Sequence, residues 1–156
     1  MMENAAMPHE PTGFSRRLLL VAAAAGLALP AIARAQEGSV MRIRFVFSDQ
    51  DFTATLQDNP SARDLISMLP LDLTVEDYST NEKIAYLPRK LTEAGSGPFG
   101  DEAPGDLCYY APWGNLALFH ASYRWSRGLI RLGRLDGGPE PLLLRGEYPL
   151  RVEPLA

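Results

Sequence analysis

Cysteine and histidine are scarce in this chain of 156 residues, which contains one cysteine and two histidines. The single cysteine, Cys108, has no partner for an internal disulfide, so packing alone must hold the fold together. Cys108 lies in the strand-like run 107–110, which favours a buried structural thiol over a reactive one. His120 is the one histidine after residue 35, and it has no ligand-spaced partner. We therefore expect neither a metal site nor a bound cofactor.

Basic residues are also too few to balance the acidic ones. The chain has 15 lysines and arginines against 19 aspartates and glutamates, a formal net charge of −4. Without its first 35 residues it keeps 12 basic and 17 acidic residues, a net charge of −5. This balance argues against nucleic acid as a partner, because phosphate binding needs a basic surface. It also argues against binding to anionic membranes.

The first 35 residues have the pattern of an export signal. Arg16 and Arg17 stand directly before the uncharged run 18–33. That run is shorter than the roughly 20 apolar residues that a membrane-spanning helix needs. Small residues at Ala33 and Ala35 suit a signal peptidase, so we predict cleavage after Ala35.

The segment 15–20, which has the pattern Ser-Arg-Arg-x-Leu-Leu, resembles the twin-arginine export signal, which is read by a receptor through Arg16 and Arg17. The resemblance implies the twin-arginine machinery as a partner and a periplasmic or secreted bacterial protein. After cleavage we expect no stable membrane anchor. Two alternatives stay open: an ordinary secretory signal that carries two arginines, and an uncleaved N-terminal anchor.

The rest of the chain is interpreted as a linker over 36–39 and one domain over 40–156. Residues 40–47 alternate between apolar and polar, and 52–56 alternate again after a turn, which predicts a β-hairpin. Asn59 and Pro60 suit the start of a helix, so we predict a helix of about two turns near 60–69.

Further strands are predicted downstream of that helix, while residues 78–90 are ambiguous and 93–105 form a long loop rich in glycine and proline. The sum is seven or eight short strands with one helix, which is typical of a β-barrel or a sandwich. The later strands are predicted at 71–76, 107–111, 116–120, 128–135 and 147–152.

Four segments, 105–119, 58–64, 83–91 and 126–134, resemble a family of bacterial proteins with a cyclophilin-like fold. The resemblance covers almost all of residues 40–153 and implies an all-β fold, a closed eight-stranded barrel with one short helix. It implies little about activity, because most members of that family have no assigned reaction. True cyclophilins are proline isomerases that use an arginine beside aromatic residues and a histidine, and that arginine motif has no match here.

The strand pattern breaks at 112–115, which makes this segment the first candidate for a binding site. A break there places the aromatic Trp113 and the amide of Asn115 at a barrel rim, where ligands bind. The alternative is a β-bulge or a tight turn with Trp113 packed in the core.

Charged and titratable residues elsewhere are weaker candidates. His120 is a candidate because histidine alone has an unperturbed pKa near neutrality, and the alternative is a solvated or hydrogen-bonded histidine. Arg127 could pair with a ligand carboxylate, or it could form a salt bridge within a loop folded over the barrel. Two further sets are a basic stretch expected in a solvated loop (Lys83, Arg89 and Lys90) and five carboxylates that the sequence cannot pair (Glu82, Glu93, Asp101, Glu102 and Asp106).

Three functions stay open, and no catalytic residue is assigned. We favour an exported binding module for a small molecule or peptide, with ligand-binding candidates Tyr110, Trp113, Asn115, Phe119, His120 and Arg127. The enzymatic alternative is a peptidyl-prolyl cis-trans isomerase, with Arg127 or Arg89 as its cation. The third is a protein that assembles with itself or with a larger exported complex, and the sequence does not set the oligomeric state.

Overall fold

The computed structural model describes residues 39–156. The predicted signal peptide over 1–35, with Arg16, Arg17 and Ala35, lies outside these residues, as does most of the predicted linker over 36–39. Within the described residues, no helix combines the length and the hydropathy required to cross a membrane.

Eight strands close into one antiparallel barrel, which confirms the predicted fold class. Around the barrel they follow the order β1-β2-β7-β5-β6-β4-β3-β8. The strands are β1 Arg42–Phe47, β2 Gln50–Leu56, β3 Leu71–Tyr78, β4 Glu82–Tyr86, β5 Asp106–Tyr110, β6 Asn115–Phe119, β7 Leu129–Leu135 and β8 Tyr148–Leu155. The predicted first hairpin is β1 and β2, and β4 occupies the segment that the sequence leaves ambiguous.

One α-helix, α1 Pro60–Met68, begins where the sequence predicts it. The side-chain oxygen of Asn59 accepts a hydrogen bond from the backbone N–H of Ala62 at 2.8 Å. Pro60 fills the first turn, where its missing N–H is not needed. A short 3₁₀ helix, Glu140–Leu143, was not predicted, and its Leu142 is buried.

The barrel interior is filled by alternate residues of each strand, as the two-residue period of a strand requires. On β5 and β6 the residues Leu107, Tyr109, Leu116 and Leu118 belong to the main core cluster. The residues between them are also buried, so every position of β6 is shielded from solvent. This side of the barrel therefore has a covered outer face as well as a packed inner one.

The expectation that Lys83 lies in a solvated loop is wrong, because Lys83 belongs to strand β4 of the barrel. It is fully buried, and its Nζ lies 2.8 Å from the Asp77 carboxylate and 5.6 Å from the centre of the Phe47 ring. Its neighbours on β4, Glu82 and Ile84, face outward, so strand alternation directs Lys83 inward. The Asp77 carboxylate then supplies the partner that a buried ammonium needs.

Gly133 provides a test of how closely β2 and β7 approach. A Cβ built on Gly133 would clash with the carbonyl oxygen of Thr55 and lie 2.8 Å from the Cα of Leu56. Because these neighbours are backbone atoms, we expect Gly133→Ala to lower the free energy of unfolding by about 1–3 kcal/mol. Urea unfolding measures this loss.

The matched control for that substitution is Gly100→Ala, where no atom lies within 4 Å of the added Cβ. We expect a change within about 0.5 kcal/mol there. Equal stability of the two variants would contradict the packing of β2 against β7.

Candidate functional site

An open groove of about 330 Å³ lies on the outer face of the barrel, over β4 and β6. Ile84 and Ala117 pair across these strands and form part of its floor. Leu116 and Leu118 flank Ala117 and face the interior, so the groove is outside the barrel and not at its rim, where the sequence placed it. Its lining residues are Tyr78, Asn81, Glu82, Ile84, Tyr110, Trp113, Asn115, Ala117, Phe119, Tyr123, Arg124, Ser126 and Leu129.

One side of the groove is an aromatic cluster around Trp113. The Trp113 ring meets Tyr78 edge-on with centroids 5.3 Å apart, and it meets Tyr110 similarly at 5.5 Å. Backbone N–H groups of Trp113 and Gly114 donate to the Tyr110 carbonyl, which closes a tight turn between β5 and β6. This turn leaves Trp113 47% exposed, so the alternative of a core tryptophan is wrong.

The opposite side is held by a stacked pair, Phe119 and Tyr123. Their rings are nearly parallel, with centroids 3.7 Å apart. The Tyr123 hydroxyl donates a hydrogen bond of 2.6 Å to the Asp106 carboxylate, and it also lies 3.6 Å from the Cys108 sulfur. Burial and the bond to Asp106 raise the pKa of Tyr123 far above its usual range. Segment 120–128 is thereby fixed as one wall of the groove.

Asp106 is the anchor of that wall and is completely buried. Besides Tyr123, its carboxylate accepts a hydrogen bond of 2.6 Å from Nε of Arg134 and one of 3.1 Å from the backbone N–H of Ala103. Nη1 of Arg131 lies 3.6 Å away. The buried negative charge is therefore compensated by two guanidinium groups, which makes its burial tolerable.

Glu82 is the carboxylate that faces the groove from β4. Burial raises its pKa from 4.5 to about 7, because the charged form loses solvation there. Neither an ion pair nor a hydrogen bond to another described residue offsets this effect. Glu82 thus changes its charge near neutral pH inside an aromatic groove, which is a feature of functional sites.

Asn115 contributes a second unsatisfied group. It is 1% exposed, and its Nδ2 donates to the carbonyl of Leu116 at 3.0 Å. That bond identifies which side-chain atom is the oxygen. Among the described residues nothing donates to Asn115 Oδ1, although it is buried. A buried acceptor without a donor is costly, so a ligand that donates to it would be favoured.

Four of the six predicted binding residues meet in this groove: Tyr110, Trp113, Asn115 and Phe119. His120 does not line it; it directly follows the end of β6 and lies near Lys83 and Arg145. There, burial and the nearby charges of Arg145 and Lys83 lower the pKa of His120.

Arg127 does not line the groove either. It is exposed, and from its segment the lining residues are Tyr123, Arg124 and Ser126. Arg89 does not line the groove, and its guanidinium donates a hydrogen bond of 2.8 Å to the Asp64 carboxylate.

Several lining residues were not predicted from the sequence: Tyr78, Asn81, Glu82, Arg124 and Ser126. The first three belong to the ambiguous segment 78–90. An alternation of outward Glu82 and Ile84 with inward Lys83 was the available signal, but the charge of Lys83 concealed it.

The side chains in and around the groove are suited to binding a ligand rather than to nucleophilic attack. Burial raises the pKa of Cys108 to about 12, so this thiol is protonated at neutral pH, and its predicted burial is confirmed. Over residues 39–156, no three histidine, cysteine, aspartate or glutamate side chains are grouped so that they could hold a metal ion.

The raised pKa of Glu82 predicts a particular pH dependence of stability. The folded state holds the Glu82 proton more tightly than the unfolded state, so stability is lost as pH rises from about 4.5 to about 7. Glu82→Gln should remove this loss. The free energy of unfolding of the variant minus that of the wild type should therefore be larger at pH 8 than at pH 4.5 by roughly 1–2 kcal/mol, a figure reduced for the solvent in the groove.

Urea unfolding of the wild type and of Glu82→Gln at both pH values measures the effect. His120, whose pKa is lowered, gives the opposite slope in both proteins and cancels in the difference. A difference between the two proteins that does not change with pH would contradict the raised pKa.

Comparisons with known proteins agree with this architecture. No curated protein matches the chain significantly. The chain is similar to the solution structure of a hypothetical protein from Archaeoglobus fulgidus, with a TM-score of 0.59 and 18% identity, over 76% of this chain and 98% of that one. At this identity the likeness shows the fold alone. The sequence profile of the cyclophilin-like family matches residues 45–153, and the chain therefore belongs to the cyclophilin-like family.

Proposed function

We propose that this protein is an exported binding module that holds a small molecule or a short peptide in the groove on the outer face of the barrel. The observation that carries the proposal is the combination of exposed aromatic rings with a buried, unpaired acceptor. Trp113 is 47% exposed and Tyr78 41%, while Asn115 Oδ1 has no donor among the described residues.

Shape and chemistry both support binding. A volume of about 330 Å³ lies at the lower end of the range for ligand pockets. Aromatic rings supply large contact areas at a low entropic cost, and a few polar groups fix the orientation of a ligand. The wall at 120–128 is held by Tyr123 and Asp106, so little ordering remains for the ligand to induce.

A peptidyl-prolyl isomerase has less support. That reaction needs a cation held beside the imide nitrogen of the substrate proline. Of the two arginines considered from the sequence, Arg89 is bonded to Asp64, and Arg127 lies outside the groove lining. Arg124 lines the groove but is exposed at its edge. The groove therefore favours binding without turnover.

Replacement of Trp113 tests the proposal. The probes are neutral aromatic fragments and the tetrapeptide Ala-Ala-Pro-Phe, titrated into the ¹⁵N-labelled protein. We expect binders among them to shift the amide resonances of the groove residues. Trp113→Ala should weaken such binding about tenfold or more, since a central tryptophan is a typical hot spot.

The control is Leu143→Ala, because Leu143 is 56% exposed on the 3₁₀ helix Glu140–Leu143 and does not line the groove. Its affinity for the same probes should equal that of the wild type. The groove would be refuted as the binding site if neither substitution changed the affinity of the probes that bind. It would also be refuted if those probes shifted only amide resonances outside the groove.

Export is the second part of the proposal. The twin-arginine pattern at Arg16 and Arg17 and the small residues before Gln36 support it. A domain whose fold needs no disulfide also suits a route for folded cargo.

A double substitution tests the route of export. In a bacterial host with the twin-arginine machinery, Arg16→Lys with Arg17→Lys should keep the full chain in the cytoplasm. The wild-type chain should reach the periplasm with Gln36 as its N-terminal residue. Periplasmic accumulation of the double variant would instead favour the general secretory route.

A further inference from the structure

Glu82 lies between two aromatic side chains at one end of the groove. On β3 its partner is Tyr78, and on β6 its partner is Phe119. The Cβ atoms of such cross-strand pairs are about 5 Å apart. Phe119 is in turn stacked on Tyr123. A carboxylate flanked by aromatic rings on both sides is a suitable environment for an organic cation.

The nearby cations of the protein do not occupy this position. Lys83 points into the barrel and is paired with Asp77. Arg124 is exposed at the edge of the groove. The pKa of the neighbouring Glu102 is lowered chiefly by the hydrogen bond from the backbone N–H of Trp125, and the charge of Arg124 adds to this effect. Among the described residues, no group bonds to the Glu82 carboxylate. Its charge is therefore available to a ligand.

A second acceptor lies at the other end of the groove. Asn115 is four residues before Phe119 on β6, so the two ends are about 13 Å apart at the usual rise of a strand. Between them the floor is apolar and includes Ile84 and Ala117. The unpaired Asn115 Oδ1 would accept a hydrogen bond from a donor at the far end of an extended ligand.

We propose that the groove binds an organic amine, with its ammonium group at Glu82 between Tyr78 and Phe119 and its apolar stem over Ile84 and Ala117. This inference rests on the proposed binding function and names the chemical class of the ligand. It fits a chain with a net charge of −4, which attracts cations over anions. Ammonium groups gain from the ring faces and from a charge-assisted hydrogen bond to the carboxylate.

Three probes of one shape and different charge test this inference: phenethylamine, 2-phenylethanol and 3-phenylpropionate. Each is titrated at pH 8, where Glu82 is ionised, and followed through the amide resonances of the groove. We expect phenethylamine to bind about tenfold or more tightly than the alcohol, and 3-phenylpropionate to bind most weakly.

Two isosteric variants test whether the preference for the amine depends on the carboxylate of Glu82. Glu82→Gln should abolish the preference for the amine, and 2-phenylethanol should still shift the amide resonances of the groove, which also shows that the groove is intact. Glu93→Gln makes the same change of charge on an exposed residue outside the groove, and it should behave as the wild type.

Equal or tighter groove binding of the alcohol or the acid would overturn the amine inference and leave the binding function standing. A preference for the amine that survives Glu82→Gln would overturn it as well. If none of the three probes shifts the groove resonances, the amine inference fails, and the tetrapeptide and neutral fragments then decide on the binding function separately.

Discussion

The hydrogen bond between Tyr123 and the buried Asp106 is the interaction on which the groove depends. Segment 120–128 makes no strand pairing of its own, so its position is set by side chains and a few backbone contacts. The Tyr123 hydroxyl reaches Asp106 at 2.6 Å, and Arg134 and Arg131 compensate the charge of that carboxylate. The Tyr123 ring held in this way stacks on the ring of Phe119 of β6, and the stacked pair forms one wall of the groove.

Burial of both faces of β5 and β6 is the second constraint. The inner face is filled by large apolar side chains such as Leu118 and Tyr109. The outer face carries Cys108, Ala117 and Phe119, which form a smaller cluster of their own with Leu129. Ala117 is small and leaves room above it, whereas Phe119 and Trp113 rise on either side. The groove therefore results from a difference in side-chain size along one covered sheet face.

The barrel and its helix were predictable because local rules determine them. Asn59 and Pro60 mark the start of α1, and alternation over 40–47 marks β1. Four of the lining residues, among them Trp113, were predictable for a similar reason, since the break at 112–115 indicates that Trp113 lies outside a regular strand. Periodicity alone does not distinguish a closed barrel from a sandwich, and it was the family resemblance that predicted the closed barrel.

The rest depends on contacts between strands and loops that no local pattern specifies. The sequence alone predicts an exposed Lys83, because its buried ion pair with Asp77 is seen only in the folded barrel. His120 follows the run 116–119, in which every residue is apolar, so the pattern could not show which face it occupies. Tyr123 and Asp106 are 17 residues apart, and no spacing rule links them. Glu82 acquires its raised pKa through burial in the folded protein.

Amide hydrogen exchange in Tyr123→Phe tests most directly the claim that Asp106 fixes the groove wall. This variant keeps the ring stacked on Phe119 and removes the hydroxyl alone. The account predicts that amides of segment 120–128 exchange about tenfold faster or more, as expected for loss of a hydrogen bond to a charged group. Amides of β1 and β8 should keep their protection relative to a Tyr86→Phe control. Unchanged protection of segment 120–128, or an equal loss across the whole barrel, would contradict the account.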